Sequence, residues 1–216
     1  MRSRWTARPS ASRPLSLVVR LQEKNMKPPK NELPEFADFI AEFNSESDRA
    51  AAIIGAAKID LLLCKTLEKI LIKPGIKKDN LLDNDSPIGT FSARINLIYR
   101  LGIIDKKFAK LLHIVRKIRN SFAHELLGVN FESEAHKNRV AELICPLKSH
   151  DGFQVCIKKA IKGQCNTSTE FRAAIAFITL RLTGIYRRSK VITQFKTMHI
   201  VPENWEFEAV AKEMTS

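Results

Sequence analysis

Residues 119–124, with the sequence RNSFAH, combine the side chains in this chain that are best suited to chemistry. An arginine, an adjacent amide and a histidine one helical turn later form a set that could cleave RNA. His124 would move a proton at the attacking 2′-hydroxyl or at the leaving oxygen, and Arg119 would stabilise the charged phosphorane. The candidate catalytic residues of a ribonuclease are therefore Arg119, Asn120 and His124.

The expected helical geometry of this segment leaves its role open. Positions five apart on a straight α-helix point ~140° away from each other. Arg119 and His124 would share a site only if the helix distorts near Ser121, and otherwise they serve different surfaces. The structural alternative is that Arg119 is an ion-pair partner and that His124 lies on the polar face or at the helix end.

The element that positions these residues is an amphipathic helix predicted over Lys106–Glu125. Its apolar residues recur at spacings of three and four, which places them on one face: Phe108, Leu111, Leu112, Val115, Ile118 and Phe122. At ~100° per residue, Arg119 falls near the middle of that face. A buried guanidinium keeps its proton, so it needs an acidic partner with good hydrogen bonds.

That partner should come from another segment of the chain. The candidate acids lie on or beside a second long helix, predicted over residues 50–71: Glu46, Asp48 and Asp60. We expect Asp48 to pair with Arg119, in a polar cluster that also holds Glu46 and Arg49. The alternative is that Ser47 or Asp48 only caps the helix. If the pairing exists, Asp48→Ala should destabilise the protein by roughly 3–5 kcal/mol, because it would strand a buried cation.

The periodicity of the whole chain predicts an all-α fold, a single-domain bundle of about six to eight helices. Further helices are predicted over 34–43, 91–101 and 134–147, and one follows an S/T-x-x-E capping box at 167–170. Residues 153–162 fit a short strand as well as a helix. Small residues at 50–57 leave little bulk on the second long helix, so another helix can approach its backbone closely.

Composition divides the chain into three parts. Residues 1–31 form a basic leader that we expect to be disordered, 32–190 form the helical domain, and 191–216 form a C-terminal tail. Residues 1–25 of it are either a disordered leader upstream of a true start at Met26 or an organelle-targeting segment, and we favour the first. The tail carries Trp205 and Phe207, which we expect to dock on the core.

The formal net charge of +13 favours acidic partners, of which nucleic acid is the usual one. Most of this charge is explained by a solvated surface. No CxxC pair, phosphate loop or HExxH motif is present, so we predict free cysteines, no metal and no cofactor. No apolar stretch reaches the ~18 residues of a membrane span. The nearest match to a helix-turn-helix, residues 95–108, is better explained as core.

Three blocks of sequence resemble the mannitol operon repressor family: EFNSESDRAAAIIGAAKIDLLL (42–63), SPIGTFSARINLIYRLGII (86–104) and VRKIRNSFAH (115–124). The resemblance covers roughly residues 34–185. It implies a cytoplasmic, all-helical bacterial regulator that represses a sugar-alcohol uptake and oxidation operon. Because that family has no evident DNA-binding module, the resemblance also implies action through a transcription factor or another regulatory protein, or through weak DNA contact.

The RNSFAH segment also resembles the R-x4-6-H motif of the HEPN (higher eukaryote and prokaryote nucleotide-binding) superfamily. Active members are metal-independent ribonucleases and often dimeric toxins, so this resemblance implies a homodimer with Arg119 and His124 as the catalytic pair and Asn120 beside them. The leading hypothesis is thus a repressor-type regulator, and the second is a HEPN-type ribonuclease. A helical scaffold that keeps the motif only for stability is the third.

Overall fold

Seven α-helices account for most of the residues described by the computed structural model, which are 33–73, 80–83, 85–125, 128–160 and 165–192. The helices are α1 (Leu33–Ser45), α2 (Asp48–Ile70), α3 (Phe91–Arg100), α4 (Lys106–His124), α5 (Glu134–Ile144), α6 (Asp151–Ala160) and α7 (Thr167–Arg188). A short 3-10 helix, Cys145–Leu147, follows α5. No strand occurs within the described ranges, so the predicted all-α fold is confirmed, and the ambiguous 153–162 region lies mostly in α6.

Side-chain caps fix where several of these helices begin. Ser47 accepts a hydrogen bond from the Ala50 backbone N–H at the start of α2, so the cap is Ser47 and Asp48 is the first helical residue. The capping box of α7 lies one residue before the predicted one. It joins Asn166 and Thr169, each side chain accepting from the backbone N–H of the other.

Helices α2 and α7 form the central pair of the bundle. Helix α2 also packs on α3 and α4, while α7 also packs on α5 and α6, so the two helices connect both halves of the fold. Five phenylalanine rings are the largest fully buried side chains of this core: Phe43, Phe122, Phe131, Phe153 and Phe171. The apolar side of α4 faces α2, which places the RNSFAH segment at one end of the bundle.

The predicted close approach to α2 is confirmed at Gly55. A Cβ atom built on Gly55 would lie 3.0 Å from Ile175 Cγ2 of α7 and 3.2 Å from Phe43 Cε2. Both distances are shorter than ordinary van der Waals contact, so the backbone of α2 reaches α7 only because this position has no side chain. Ala52 and Ala56 beside it are also buried.

Gly55→Leu should therefore destabilise the protein by about 1–3 kcal/mol, because the added side chain must displace Ile175 and Phe43 in a packed core. Ala57→Leu is the matched control, since Ala57 lies on the exposed side of the same helix. That variant should change stability by no more than about 0.5 kcal/mol. Urea unfolding of both variants checks the prediction, and equal effects at the two positions would contradict the close packing.

The leader, residues 1–31, and residues 193–216 of the tail lie outside the described residues. The expectations for Met26, Trp205 and Phe207 therefore fall in those parts of the chain.

Candidate functional site

The RNSFAH segment occupies the last turns of α4, at the surface of the bundle. Arg119 and His124 are both exposed, and Asn120 is half-buried. Arg119 Nη1 donates a hydrogen bond to Asn120 Oδ1 at 3.1 Å. The helix continues without a break to His124, and Glu125 N–H still donates to Ser121 O. Within one chain, therefore, Arg119 and His124 are both accessible but point ~140° apart.

The predicted burial of Arg119 is wrong. The buried stripe in the last turns of α4 includes Ile114, which is 3% exposed, besides Val115, Ile118 and Phe122. Adding Ile114 moves the centre of the stripe to Ile118, and the next residue lies ~100° away from it. Arg119 therefore falls outside the stripe, reaches water, and bonds to Asn120 rather than to Asp48.

Asp48 does pair with a buried arginine, but that arginine is Arg172 of α7. Asp48 Oδ1 lies 3.8 Å from Arg172 Nη2, and the side chain of Arg172 is 10% exposed. Arg172 also donates to the backbone oxygens of Phe43 and Glu46, at the end of α1 and just after it. Burial lowers the pKa of the Arg172 guanidinium, and the nearby carboxylates of Asp48 and Glu46 partly oppose this.

The carboxylate of Asp48 joins two further segments to this arginine. Its Oδ1 accepts from Ser168 Oγ in the first turn of α7 at 2.6 Å. Its Oδ2 accepts from the backbone N–H of Phe131, in the connection between α4 and α5, at 3.1 Å. The Asp48–Arg172 cluster therefore ties α1, α2, α7 and the α4–α5 connection together at one end of the bundle.

The other members of the predicted ion-pair cluster are only partly brought together. Arg49 donates through Nη2 to the backbone oxygen of Glu125, directly after α4, so it does reach the RNSFAH end. Glu46 contributes its carbonyl oxygen to Arg172. Asp60, the remaining candidate acid, binds a second buried arginine: Asp60 Oδ2 lies 2.8 Å from Arg94 Nη1. Arg119 is thus not part of the cluster.

His136 of α5 is a buried polar group that the sequence analysis did not single out. It is 1% exposed, and its ring lies 4.5 Å from the ring of Phe122. Its spacing from Val140 and Leu143, at four and seven residues, is the helical signal that indicates a buried face. Its Nδ1 lies 2.6 Å from Ser133 Oγ, and its Nε2 lies 3.0 Å from Ser121 Oγ.

The hydrogen bonds around His136 assign its protons. Ser121 Oγ lies 2.5 Å from Glu125 Oε1, and an ionised carboxylate only accepts, so the Ser121 hydroxyl donates to Glu125. His136 Nε2–H then donates to Ser121, while His136 Nδ1 lies within hydrogen-bond distance of Ser133 Oγ. Burial lowers the pKa of His136, an effect that the Glu125 charge opposes. A backbone hydrogen bond with Asn130 also opposes the lowering of the His136 pKa. Through Ser121, the ring links α5 to the last turn of α4.

We expect stability to fall as the pH is lowered below about 6.5, the ordinary histidine pKa. The lowered pKa means that the unfolded chain binds a proton at His136 before the folded chain does, so acid favours unfolding until the folded pKa is also passed. His136→Phe should reduce the loss of stability between about pH 8 and pH 5, measured by urea unfolding. The exposed His124 of α4 supplies the control His124→Gln. An unchanged pH dependence in His136→Phe would contradict the lowered pKa of the buried ring.

Helix α4 turns a uniformly basic face to solvent. It holds six cationic side chains and no acidic one: Lys106, Lys107, Lys110, Arg116, Lys117 and Arg119. All except the half-buried Arg116 are exposed. Three of them share one side of the helix by spacing, and we call these three, Lys106, Lys110 and Lys117, the basic face of α4. Lys110 forms an ion pair with Glu142 at 3.1 Å, but both side chains are exposed, so the pair contributes little. The face can bind carboxylates or phosphates.

The helix that carries the basic face belongs to the core. Leu112, Val115, Ile118 and Phe122 are fully buried on its other side, as expected for a core helix with solvated lysines.

The four cysteines, all within described ranges, are free. In the same ranges, no three His, Cys, Asp or Glu side chains are grouped as metal ligands. No helix there has both the length and the apolar character needed to cross a bilayer.

Comparison with known proteins gave a distant structural likeness. No protein-family model matches the sequence, and no curated protein matches it. A solved structure with some similarity is the X-ray structure of the MtlR–HPr complex from Escherichia coli. The matched chain is 18% identical, the match covers 70% of this chain and 99% of that chain, and the TM-score is 0.48.

Proposed function

We propose that this protein is a transcriptional regulator of the mannitol operon repressor type, which acts by binding another protein through the basic face of α4. Two independent features support the proposal. Three sequence blocks, 42–63, 86–104 and 115–124, resemble that family and occur in the family's order. The observation that carries the binding mode is the absence of any acidic residue along the 19 residues of α4, while five of its cations are exposed.

A rigid helix with charges of one sign suits a partner with an acidic surface. The buried side of α4 fixes the helix, so the lysines on its outer side, from Lys106 to Lys117, are presented at fixed positions over ~17 Å. Complementary charge raises the association rate and selects among partners more than it adds affinity. The binding should therefore weaken as ionic strength rises, because exposed charges are screened.

The test uses a charge-reversal pair in the full chain. Lys106→Glu/Lys117→Glu changes two exposed lysines of the basic face, and Lys148→Glu/Lys158→Glu makes the same change of charge elsewhere. HPr is a suitable first partner for calorimetry, since it is the protein bound in the Escherichia coli complex. Transcription of the cell's sugar-alcohol uptake genes is the second measurement.

The expected result is that Lys106→Glu/Lys117→Glu loses both partner binding and repression, while the control pair keeps both. Transcript levels that stay unchanged when the gene is deleted would overturn the regulatory role. A different outcome is that purified protein partners do not bind, whereas operator DNA gives a gel shift that the same pair abolishes. That result would mean that the protein acts by direct DNA contact and not by protein contact.

A second candidate function is metal-independent RNA cleavage, favoured by the exposure of Arg119 and His124 beside Asn120. Because Arg119 and His124 point in different directions on one helix, a productive pair would have to form between the α4 ends of two subunits in a homodimer. Purified protein incubated with single-stranded RNA in EDTA tests this. Cleavage that is lost in His124→Ala and kept in His150→Ala, another exposed histidine, would establish a ribonuclease. Absence of cleavage would exclude it.

A further inference from the structure

Ser133, just before α5, differs in its contacts from Ser47, which precedes α2. The Ser47 side chain accepts a hydrogen bond from the Ala50 backbone N–H and so caps its helix. Ser133 occupies the same position before α5, yet its side chain forms no such bond. Its Oγ lies instead 2.6 Å from His136 Nδ1, and the residue is exposed to solvent. A hydroxyl held against an imidazole nitrogen is the arrangement that activates a serine nucleophile.

A carboxylate orients the imidazole through its other nitrogen. His136 Nε2 lies 3.0 Å from Ser121 Oγ, and Ser121 Oγ lies 2.5 Å from Glu125 Oε1. Because the Ser121 hydroxyl donates to Glu125, it accepts from Nε2–H, and an unprotonated ring then has its lone pair on Nδ1. The order of hydroxyl, imidazole and carboxylate is that of a catalytic triad, with the Ser121 hydroxyl inserted between the base and the acid.

The surroundings of His136 suit a base that works above neutral pH. Burial lowers the pKa of the ring from its ordinary value of 6.5, and the Arg139 charge acts in the same direction, so at about pH 8 the ring is unprotonated. The Glu125 charge and a backbone hydrogen bond with Asn130 oppose the lowering, which means that both favour the protonated ring. They therefore stabilise the imidazolium that forms when Nδ1 takes the proton of Ser133.

The first turn of α5 provides donors for the charge that develops on a substrate. The N–H groups of His136 and Lys137 bond to the backbone oxygen of Ser133. The first N–H groups of a helix have no acceptor within the helix, and those of Glu134 and Ala135 directly follow the serine. These two amides lie at the positive end of the helix dipole, where they can bind the oxyanion of a tetrahedral intermediate.

The burial of His136 limits which substrates Ser133 can attack. His136 is 1% exposed, so neither a leaving group nor a water molecule can readily approach Nδ1 once Ser133 is acylated. The leaving group must therefore depart as a stable anion, as a thiolate or an activated phenolate does. Poor access of water to the base also means that the acyl group stays on Ser133 for longer than it takes to form.

We propose that Ser133 is a nucleophile that accepts acyl groups from thioesters and activated aryl esters, with His136 as its general base. Ser133 Oγ forms a bond to the carbonyl carbon, and the bond from that carbon to the sulfur or the aryl oxygen breaks. The electron pair leaves on the thiolate or phenolate. The Ser133 proton passes to His136 Nδ1 and from there to solvent. Ser121 and Glu125 are positioning residues, because they act only through the ring.

Reaction of the full chain with p-nitrophenyl acetate at about pH 8 tests the proposal. We expect a burst of about one p-nitrophenolate per chain, followed by slow turnover, and an acetyl group on the peptide that contains Ser133. Hydroxylamine separates this ester from acetylated lysines, because it cleaves esters and leaves amides intact. Ser133→Ala should abolish the burst and the acetyl ester. Ser47→Ala, the same change at the exposed serine before α2, should keep both.

Variants of the base and of a positioning residue separate catalysis from packing. His136→Phe keeps an aromatic ring in the core and should lower the acylation rate by roughly 100-fold. Glu125→Gln, at an exposed side chain, should move the midpoint of the pH–rate profile to lower pH, because the Glu125 charge raises the pKa of the ring. A purely structural network would not move this midpoint. Circular dichroism confirms that each variant is folded.

Three results would overturn the proposal. The first is the absence of a burst in the parent protein. The second is an acetyl ester on Ser47 as often as on Ser133, which would mean that exposure alone determines the reaction. The third is acylation of Ser133 that is equally fast in folded His136→Phe.

Discussion

Arg172→Ala is expected to lower the free energy of unfolding by about 3–5 kcal/mol, the cost of removing one partner of a buried charge pair. The change leaves Asp48 without its cation. It also deprives the backbone oxygens of Phe43 and Glu46 of the guanidinium that binds them. A buried carbonyl oxygen that loses its hydrogen-bond donor and cannot bond to water destabilises the fold by its full desolvation penalty. Chemical denaturation, followed by circular dichroism, measures the effect.

Arg119→Ala is the matched control, because Arg119 is an exposed arginine that bonds to Asn120 on the same helix. Its replacement should change stability by no more than about 0.5 kcal/mol. A larger loss for Arg119→Ala than for Arg172→Ala would mean that the sequence-based assignment of the buried cation was right and that the present one is wrong.

Phe122→Ala is also expected to lower the free energy of unfolding by about 3–5 kcal/mol. The Phe122 ring is fully buried, 4.8 Å from the ring of Phe131 and 4.5 Å from that of His136. Its removal opens a cavity where α4, α5 and the α4–α5 connection meet, and the rigid side chains around it cannot fill the space. Thermal and urea unfolding both report the loss.

Phe108→Ala removes the same side chain from the first turn of α4, where the ring is only half-buried. Phe108→Ala should therefore lower the free energy of unfolding clearly less than Phe122→Ala does. Modification of His136 by diethyl pyrocarbonate provides an independent check, because the cavity gives the reagent access in Phe122→Ala alone. Equal stability losses for the two variants, with His136 still protected, would contradict the packing described here.

The positions of the helices could be predicted from sequence because they depend on local periodicity. The pattern over Lys106–Glu125 predicts α4 within one residue, and the small residues around Gly55 predict its close contact with another helix. Apolar spacing, caps and helix breakers are all properties of neighbouring residues. These features therefore required no knowledge of which helices pack together.

The polar interior could not be predicted in the same way, since it depends on residues far apart in sequence. Arg172 is buried because Phe43, 129 residues away, presents a carbonyl oxygen to it. His136 is buried because hydroxyl groups of Ser133 and Ser121 bind both of its nitrogens. The principle that a buried arginine needs a carboxylate was correct, and Asp48 is that carboxylate. The error lay in judging burial from one helix alone.

The bond from Phe131 N–H to Asp48 has a consequence for how the bundle opens. The acceptor lies in the first turn of α2 and is itself held by α7, so this amide can meet solvent only when three segments separate. In hydrogen exchange the Phe131 amide should thus behave like the slowest amides of the helices, although it belongs to a connection and not to a helix. The end of α4 that carries Arg119 and His124 then stays in place during local fluctuations and would meet any partner as a preformed surface.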